Sequence, residues 1–230
     1  MKALDLFCGA GGASQGLHLA GFKVEGVDIA DQKHYPFEFT RHNVMFMRPK
    51  QLQEFDFIWA SPPCQRYSAM TKRWNKEREN NHPDLVGPVR ELLRASGVPY
   101  CIENVPGAPL VKPVMLCGSM FGLQTKHGSQ LRRHRLFECS FHVEQLTCHH
   151  TKGSSIGVYG GGQHPDRRVP ATIGVYGKSG GSSKRDGLTF FSTQDRRDAM
   201  GIQWMTGAEL SEAIPPAYSQ YIAKQFLKQK

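Results

Sequence analysis

The chain has 230 residues, 39% of them apolar and 21% charged, an ordinary globular composition with enough length for one sizeable core. No run approaches the roughly 18 unbroken apolar residues of a spanning helix, and Met1 leads straight into a strand-like segment without a charged-then-apolar leader, so cytoplasmic residence with no membrane partner is the expectation. Lysine and arginine number 29 against 20 acidic residues, a formal charge of +9, which suits a polyanion and makes nucleic acid the first partner to consider, a merely basic surface being the alternative.

Lys2 to Phe7 is a short apolar run that breaks into Gly9, Gly11 and Gly12, after which Ala13 to Ala20 can form a helix stopped by Gly21. That is strand, glycine turn and helix. Lys23 to Ile29 reads as a second strand with Asp28 near its end, at the distance where dinucleotide-type sites place a ribose-binding acid. A tight structural turn is the alternative, but a doubly wound, mostly parallel α/β sheet of Rossmann type is the economical inference. Phe55 to Ala60 is a further buried strand running into Ser61-Pro62-Pro63-Cys64-Gln65, where two prolines forbid continued sheet or helix and present Cys64 at a strand's carboxyl end. A thiol there can act as a nucleophile, whereas a lone cysteine is otherwise a small buried hydrophobe.

Thr71 to Asp84 is rich in Lys, Arg, Asn and Glu and reads as a basic loop carrying Lys72, Arg73, Lys76 and Arg78. Asp84 to Ser96 has helical spacing and Gly97 stops it, and Pro99 to Val105 forms a strand ending in Glu103-Asn104. Leu131 to Phe141 can make one strand with Arg133 and Arg135 on the same face. From Ser140 to Gln194 the composition turns to Gly, Ser, His, Arg and Lys, and Ile-Gly-Val-Tyr-Gly occurs at Ile156 to Gly160 and again at Ile173 to Gly177. Two copies make no solenoid; they suggest a pair of equivalent strands in a small glycine-rich subdomain, a flexible insertion being the alternative. Asp195 to Leu227 returns to helical patterning around Ile214-Pro215-Pro216 and is expected to pack back on the sheet. The expected division is therefore 1–139 catalytic, 140–194 recognition and 195–230 a returning segment, in a monomer.

The six cysteines lack framework spacing and read as reduced thiols. Cys139, His142, Cys148, His149 and His150 could supply metal ligands, but their spacing matches no standard finger, so no metal is expected.

Asp5-Leu6-Phe7-Cys8-Gly9-Ala10-Gly11-Gly12, Ser61-Pro62-Pro63-Cys64-Gln65, Glu103-Asn104-Val105 and Leu131-Arg132-Arg133-His134-Arg135 stand in the order of four motifs of the DNA (cytosine-5) methyltransferases, and the chain resembles that family over residues 1 to about 138, with an echo at Ala213-Ile214-Pro215-Pro216. The resemblance implies a Rossmann-like methyltransferase fold, with S-adenosylmethionine as donor and S-adenosylhomocysteine as product. Phe7 would lie against the adenine, Gly9, Ala10, Gly11 and Gly12 beneath the amino-acid portion, and Asp28 on the ribose, with Ile29, Asn43 and Pro63 completing the donor's contacts. Cys64 would add to C6 of cytosine in DNA, Glu103 would engage N3 and the exocyclic amine, Arg135 the O2, and Arg133 would orient the nucleophile region. A stacked base cannot reach such a pocket and must swing out; Gln65, Arg66, Ser68, Lys72 and Arg73 would hold the DNA. The chain departs from the family pattern at Leu131, where a glutamine is usual, at Asn43, where an acid is usual, and at Ser211-Glu212 in place of Gly-Asn. The same chemistry on RNA or a free cytidine nucleotide, a group bulkier than methyl, and a silent DNA-binding relative are the alternatives.

Overall fold

The structure is a computed structural model that describes residues 1–67, 82–151, 155–158, 172–175 and 191–230. β1 (Lys2–Leu6) leads through the glycine turn into α1 (Gly12–Leu19) and back to β2 (Lys23–Asp28) and β3 (Glu38–Arg41). A short helix α2 (Pro49–Leu52), β4 (Phe57–Ala60), α3 (Val86–Ser96) and β5 (Tyr100–Asn104) complete the first half. β6 (Val114–Leu116), β7 (Gln130–Leu131), β8 (Arg135–Cys139), β9 (Ser155–Val158) and β10 (Thr172–Val175) follow, then α4 (Thr193–Met200), α5 (Gly207–Glu212) and α6 (Pro216–Leu227).

Seven of the described strands form one sheet in the order β3-β2-β1-β4-β5-β8-β6. β3 through β5 run parallel, and β8 and β6 are antiparallel additions at one edge. Strands covered on both faces read as unbroken apolar runs rather than alternating ones, which explains Phe57-Ile58-Trp59-Ala60, buried throughout. Alternate residues feed two cores: Phe57 and Trp59 face Leu17 of α1 and Tyr218, Ile222 and Phe226 of α6, whereas Ile58 and Ala60 face Leu52 of α2 and Val89 and Leu93 of α3. Phe57 stacks on Phe226 with ring centroids 5.2 Å apart. α1 and α6 touch backbone to backbone, because a Cβ at Gly16 would lie 2.1 Å from the Pro216 carbonyl oxygen. The sequence therefore folds as the expected doubly wound α/β sheet, and the order reverses at β1, where such sheets open a crevice at the strands' carboxyl ends.

β7, β9 and β10 form a second, parallel sheet of three described strands. Its register sets Ile156 against Ile173, Gly157 against Gly174 and Val158 against Val175, so the repeated peptides are indeed equivalent neighbouring strands. Leu131 and Ile156 pack with Phe191, Met200, Ile202, Met205 and Leu210 beneath this sheet. α4 and α5 begin with capping boxes, Ser192 with Asp195 and Thr206 with Glu209, that satisfy amides left open at a helix start.

One expectation is corrected. Leu131 to Phe141 is not a continuous strand: Leu131 ends β7 in the small sheet, Arg135 begins β8 in the large one, and Arg132 to His134 cross between them. The crossing is held by the Arg132 amide donating to the Ile156 carbonyl (3.0 Å) and the Tyr218 hydroxyl donating to the Arg133 carbonyl (2.7 Å). Arg133 and Arg135 therefore do not share a strand face.

Candidate active site

Phe7 to Gly11 turn sharply at the end of β1, with Phe7 at φ 60°, Gly9 at 48° and Gly11 at 87°, a left-handed backbone that glycine adopts without a Cβ penalty. Asp28, at the end of β2, fixes the turn: its Oδ2 accepts from the Gly9 amide and its Oδ1 from the Ala30 amide, both at 3.0 Å. Each carboxylate oxygen has a further lone pair for a ligand hydroxyl. A Cβ at Gly9 would meet nothing within 4 Å, so there is open room above the turn. A Cβ at Gly12 would meet the Ile214 carbonyl oxygen at 2.6 Å, so the returning segment closes on the turn from the other side, where Trp204 also donates its indole N–H to the Ala10 carbonyl (2.8 Å). A glycine cradle with an adjacent acid at a sheet's switch point fits an adenosyl-type cofactor. Ile29 is 62% and Phe46 75% exposed beside β2 and β3, leaving apolar surface for a flat ring. Asn43 caps the short 3-10 turn at Val44–Phe46, its Oδ1 accepting from the Met45 amide (3.0 Å).

Beneath the cradle lies a fully buried carboxyl that sequence reasoning did not single out. Asp5 Oδ2 accepts from the Ser14 hydroxyl (2.5 Å), which lies 2.7 Å from the Tyr35 hydroxyl. Burial drives the Asp5 pKa from 3.8 up to about 7 against the lowering effect of Ser14. The Cys8 thiol in the same turn is buried and pushed far up by desolvation, which makes it a packing group rather than a nucleophile.

The second cluster sits at the carboxyl ends of β4 and β5. Cys64 is half-buried on the proline turn, and Asn104 clamps that turn by donating to the Pro62 carbonyl (3.0 Å). Glu103, buried on β5, pairs with Arg135 at the start of β8, Arg135 Nε lying 3.2 Å from Glu103 Oε1 with both side chains under 10% exposed. Burial raises the Glu103 pKa, while Arg135, Arg133 and a hydrogen bond with Ser61 hold it down. The Cys64 thiol feels the same groups: burial raises its pKa, Glu103 raises it further, and Arg135 and Arg133 oppose them. Cys64, Glu103, Arg133 and Arg135, far apart in sequence, are thus brought into one electrostatic unit.

Arg133 is completely buried and donates to the carbonyls of Ser211 (2.9 Å) and Ala213 (2.6 Å). It therefore ties the arginine segment to the residues that close the glycine turn, a positioning role. Ser211, which departs from the family pattern, serves here through its backbone oxygen. β8 is in turn anchored by Glu138, which accepts from Arg90 at 2.7 Å with both oxygens. Among the expected DNA contacts, Gln65 is exposed and Arg66 donates to the His82 carbonyl (3.1 Å), whereas Ser68, Lys72 and Arg73 lie outside the described residues.

Of the cysteines and histidines weighed as metal ligands from sequence, only Cys148 and His150 come together in one cluster. All six cysteines are free thiols. Cys139 stands opposite Cys101 in the β5–β8 ladder, and the ligand atoms that converge belong to Cys117, His134, Cys148 and His150. No helix among the described residues is long and apolar enough to cross a membrane.

Solved structures share the fold across the whole chain at low identity. They include an Escherichia coli prophage-encoded protein described as a DNA modification methyltransferase (TM-score 0.63, 15% identical, 99% of each chain). They also include the Schizosaccharomyces pombe Dnmt2 methyltransferase (0.60, 14% identical, 100% of this chain and 98% of that one) and the Entamoeba histolytica methyltransferase EhMeth (0.61, 13% identical, 100% and 99%). In sequence, 124 residues are 30% identical to the Type II methyltransferase M.AgeI of Thalassovita gelatinovora, covering 46% of this chain and 28% of the length of that relative. Residues 1–110, a span that takes in the glycine turn, Cys64 and Glu103, match the C-5 cytosine-specific DNA methylase family.

Proposed function

We propose that the protein transfers a methyl group from S-adenosylmethionine to C5 of cytosine in DNA through a covalent bond between Cys64 and C6 of a flipped base. The observation that carries this reading is the convergence of Cys64 with the Glu103–Arg135 ion pair beside the glycine cradle. C5 of an unactivated pyrimidine is a poor nucleophile, so substitution there requires prior addition at C6, and a thiolate is the side chain suited to add and later leave.

The chain's own groups fit each requirement. The Cys64 thiol gives its proton to water and the sulfur bonds to C6, which moves the C5–C6 π electron pair into the ring. Glu103, whose pKa burial raises, is suited to supply a proton or hydrogen bond at N3 as that charge develops, and Arg135 to stabilise charge at O2. The donor supplies an electrophilic methyl group, and the glycine turn with Asp28 would hold it, Phe7, Ile29, Asn43 and Pro63 lining its adenosine portion. After transfer water takes the C5 proton, and the C5–H electron pair re-forms the ring double bond and expels the Cys64 thiolate. Base extrusion costs a few kcal/mol, which Gln65, Arg66, Ser68, Lys72 and Arg73 would offset through DNA contacts on a chain carrying +9.

The test is incubation with tritiated-methyl donor and duplex DNA, structured RNA or dCMP in parallel, followed by nucleoside analysis. Label in 5-methylcytosine from DNA is expected. Label on adenine, label confined to RNA or dCMP, or none from folded protein that binds donor would overturn the reading.

A further inference from the structure

We propose that Cys117, His134, Cys148 and His150 form a binding site for a single zinc ion, separate from the cofactor and nucleophile residues. Their four ligand atoms all lie within 4.8 Å of one another. Cys148 Sγ is 3.0 Å from His150 Nε2 and 3.6 Å from His134 Nε2, and Cys117 Sγ is 3.4 Å from His150 Nε2. Zinc at about 2.3 Å from sulfur and about 2.0 Å from nitrogen sets a tetrahedral sulfur-to-nitrogen edge of about 3.5 Å. Two of the observed separations, 3.4 and 3.6 Å, match that edge and the third, 3.0 Å, is shorter, so a small outward turn of His150 completes the tetrahedron. The imidazoles are turned edge to face with centroids 5.1 Å apart, so both rings can aim Nε2 inward.

The donor chemistry selects the ion. Two thiolates and two neutral imidazoles are the ligand set that favours zinc over the hard, oxygen-seeking cations, and four protein ligands leave no open position, as in structural rather than catalytic sites. Two thiolates also cancel the charge of a divalent ion, which suits a site whose members range from the buried Cys117 to the exposed His150. Outer contacts are already in place: the Ser119 hydroxyl lies 3.2 Å from Cys148 Sγ, and Gln130 of β7 donates to the His149 carbonyl (2.8 Å) and accepts from the Thr151 amide (3.3 Å).

The ligands come from three separate stretches. Cys117 follows β6, His134 sits between Arg133 and Arg135 in the crossing from β7 to β8, and Cys148 and His150 lie on the strap after β8. An ion there would staple the edge of the large sheet to the root of the small one, and would fix the arginine crossing without touching the reacting atoms.

Metal content tests this independently of methyl transfer. Protein purified under reducing conditions, stripped with chelator and reloaded with zinc chloride, is expected to hold one equivalent per chain by mass spectrometry of the intact protein. Cobalt chloride is expected to give the thiolate-to-metal and d–d absorption of a tetrahedral centre. Cys148→Ser and His150→Ala should lose the bound equivalent and the zinc-dependent rise in Tm, whereas Cys139→Ser and His142→Ala, outside the cluster, should keep both. His150 is exposed, so its replacement leaves the fold intact even where a cysteine variant does not. No uptake by folded wild type, full retention in both cluster variants, or a disulfide between Cys117 and Cys148 in the reduced preparation would overturn the proposal.

Discussion

The half of the molecule from β1 to β5 and the half from β6 to β10 are built on different plans. In the first, each functional group stands at the end of its own strand, and the turn that presents it is written within a few residues: glycines after β1, prolines after β4, Glu103-Asn104 closing β5. In the second, position comes from partners distant in the chain. Arg133 is set by carbonyls 78 and 80 residues away, Arg135 by Glu103, and β8 by Arg90 of α3. Groups at the end of one strand can be placed by local turns, whereas a segment that crosses from the large sheet to the small one has to be stitched.

The largest effect that separates the halves is expected at Cys64. Cys64→Ala should lower methyl transfer on the order of 10⁴-fold or more and abolish trapping by 5-fluorocytosine DNA, with donor binding by calorimetry unchanged, because the cradle does not depend on the thiol. A trapped adduct in that variant would mean that another residue attacks. Next, Arg133→Ala leaves one buried and one half-buried carbonyl without their cationic partner and should cost about 3 kcal/mol in denaturant unfolding. It should also weaken donor binding, since the same carbonyls belong to the segment that closes over Gly12. Unchanged donor affinity would show that the stitching stops short of the cradle.

The first half has its own cost, carried by Asp5. Its pKa is raised from 3.8 to about 7, so the folded state holds the proton more tightly than the unfolded chain. The favourable contribution is complete below about pH 4 and is lost as pH climbs to about 7, so above that the ionised carboxylate burdens the fold. Asp5→Asn should therefore be more stable than wild type by about 2 kcal/mol at about pH 8, with the gap closing on acidification; thermal melts across that range read it directly. The smallest effect is a shift in reactivity. Because Glu103 raises the Cys64 pKa and Arg135 lowers it, Glu103→Gln should move the pH midpoint of Cys64 alkylation down and Arg135→Met should move it up. Equal midpoints in all three proteins would place the thiol outside that electrostatic unit.

Legibility in sequence follows the same divide. Strand, glycine turn and helix at Lys2 to Leu19 were readable because apolar period and glycine position act locally, and Gly97, at φ 70°, stops α3 as its residue type dictates. The twin Ile-Gly-Val segments announced equivalent strands, and the register pairs them residue for residue. What escaped was the break at Arg132 to His134, since an apolar and arginine alternation looks the same whether one sheet or two receive it. Cys117 and His134 escaped for a related reason. They sit 31 and 14 residues before Cys148, so only the folded crossing brings their side chains to it. The buried carboxyl of Asp5 was hidden inside an apolar run, its hydroxyl partners lying on α1 and in the segment before β3.

Trp204 and Ile214 rest on a turn formed by residues near the opposite terminus. During synthesis the turn is made long before Trp204 and Ile214, which cover it, emerge from the ribosome. A chain interrupted after the small sheet would lack the residues that cover the glycine turn.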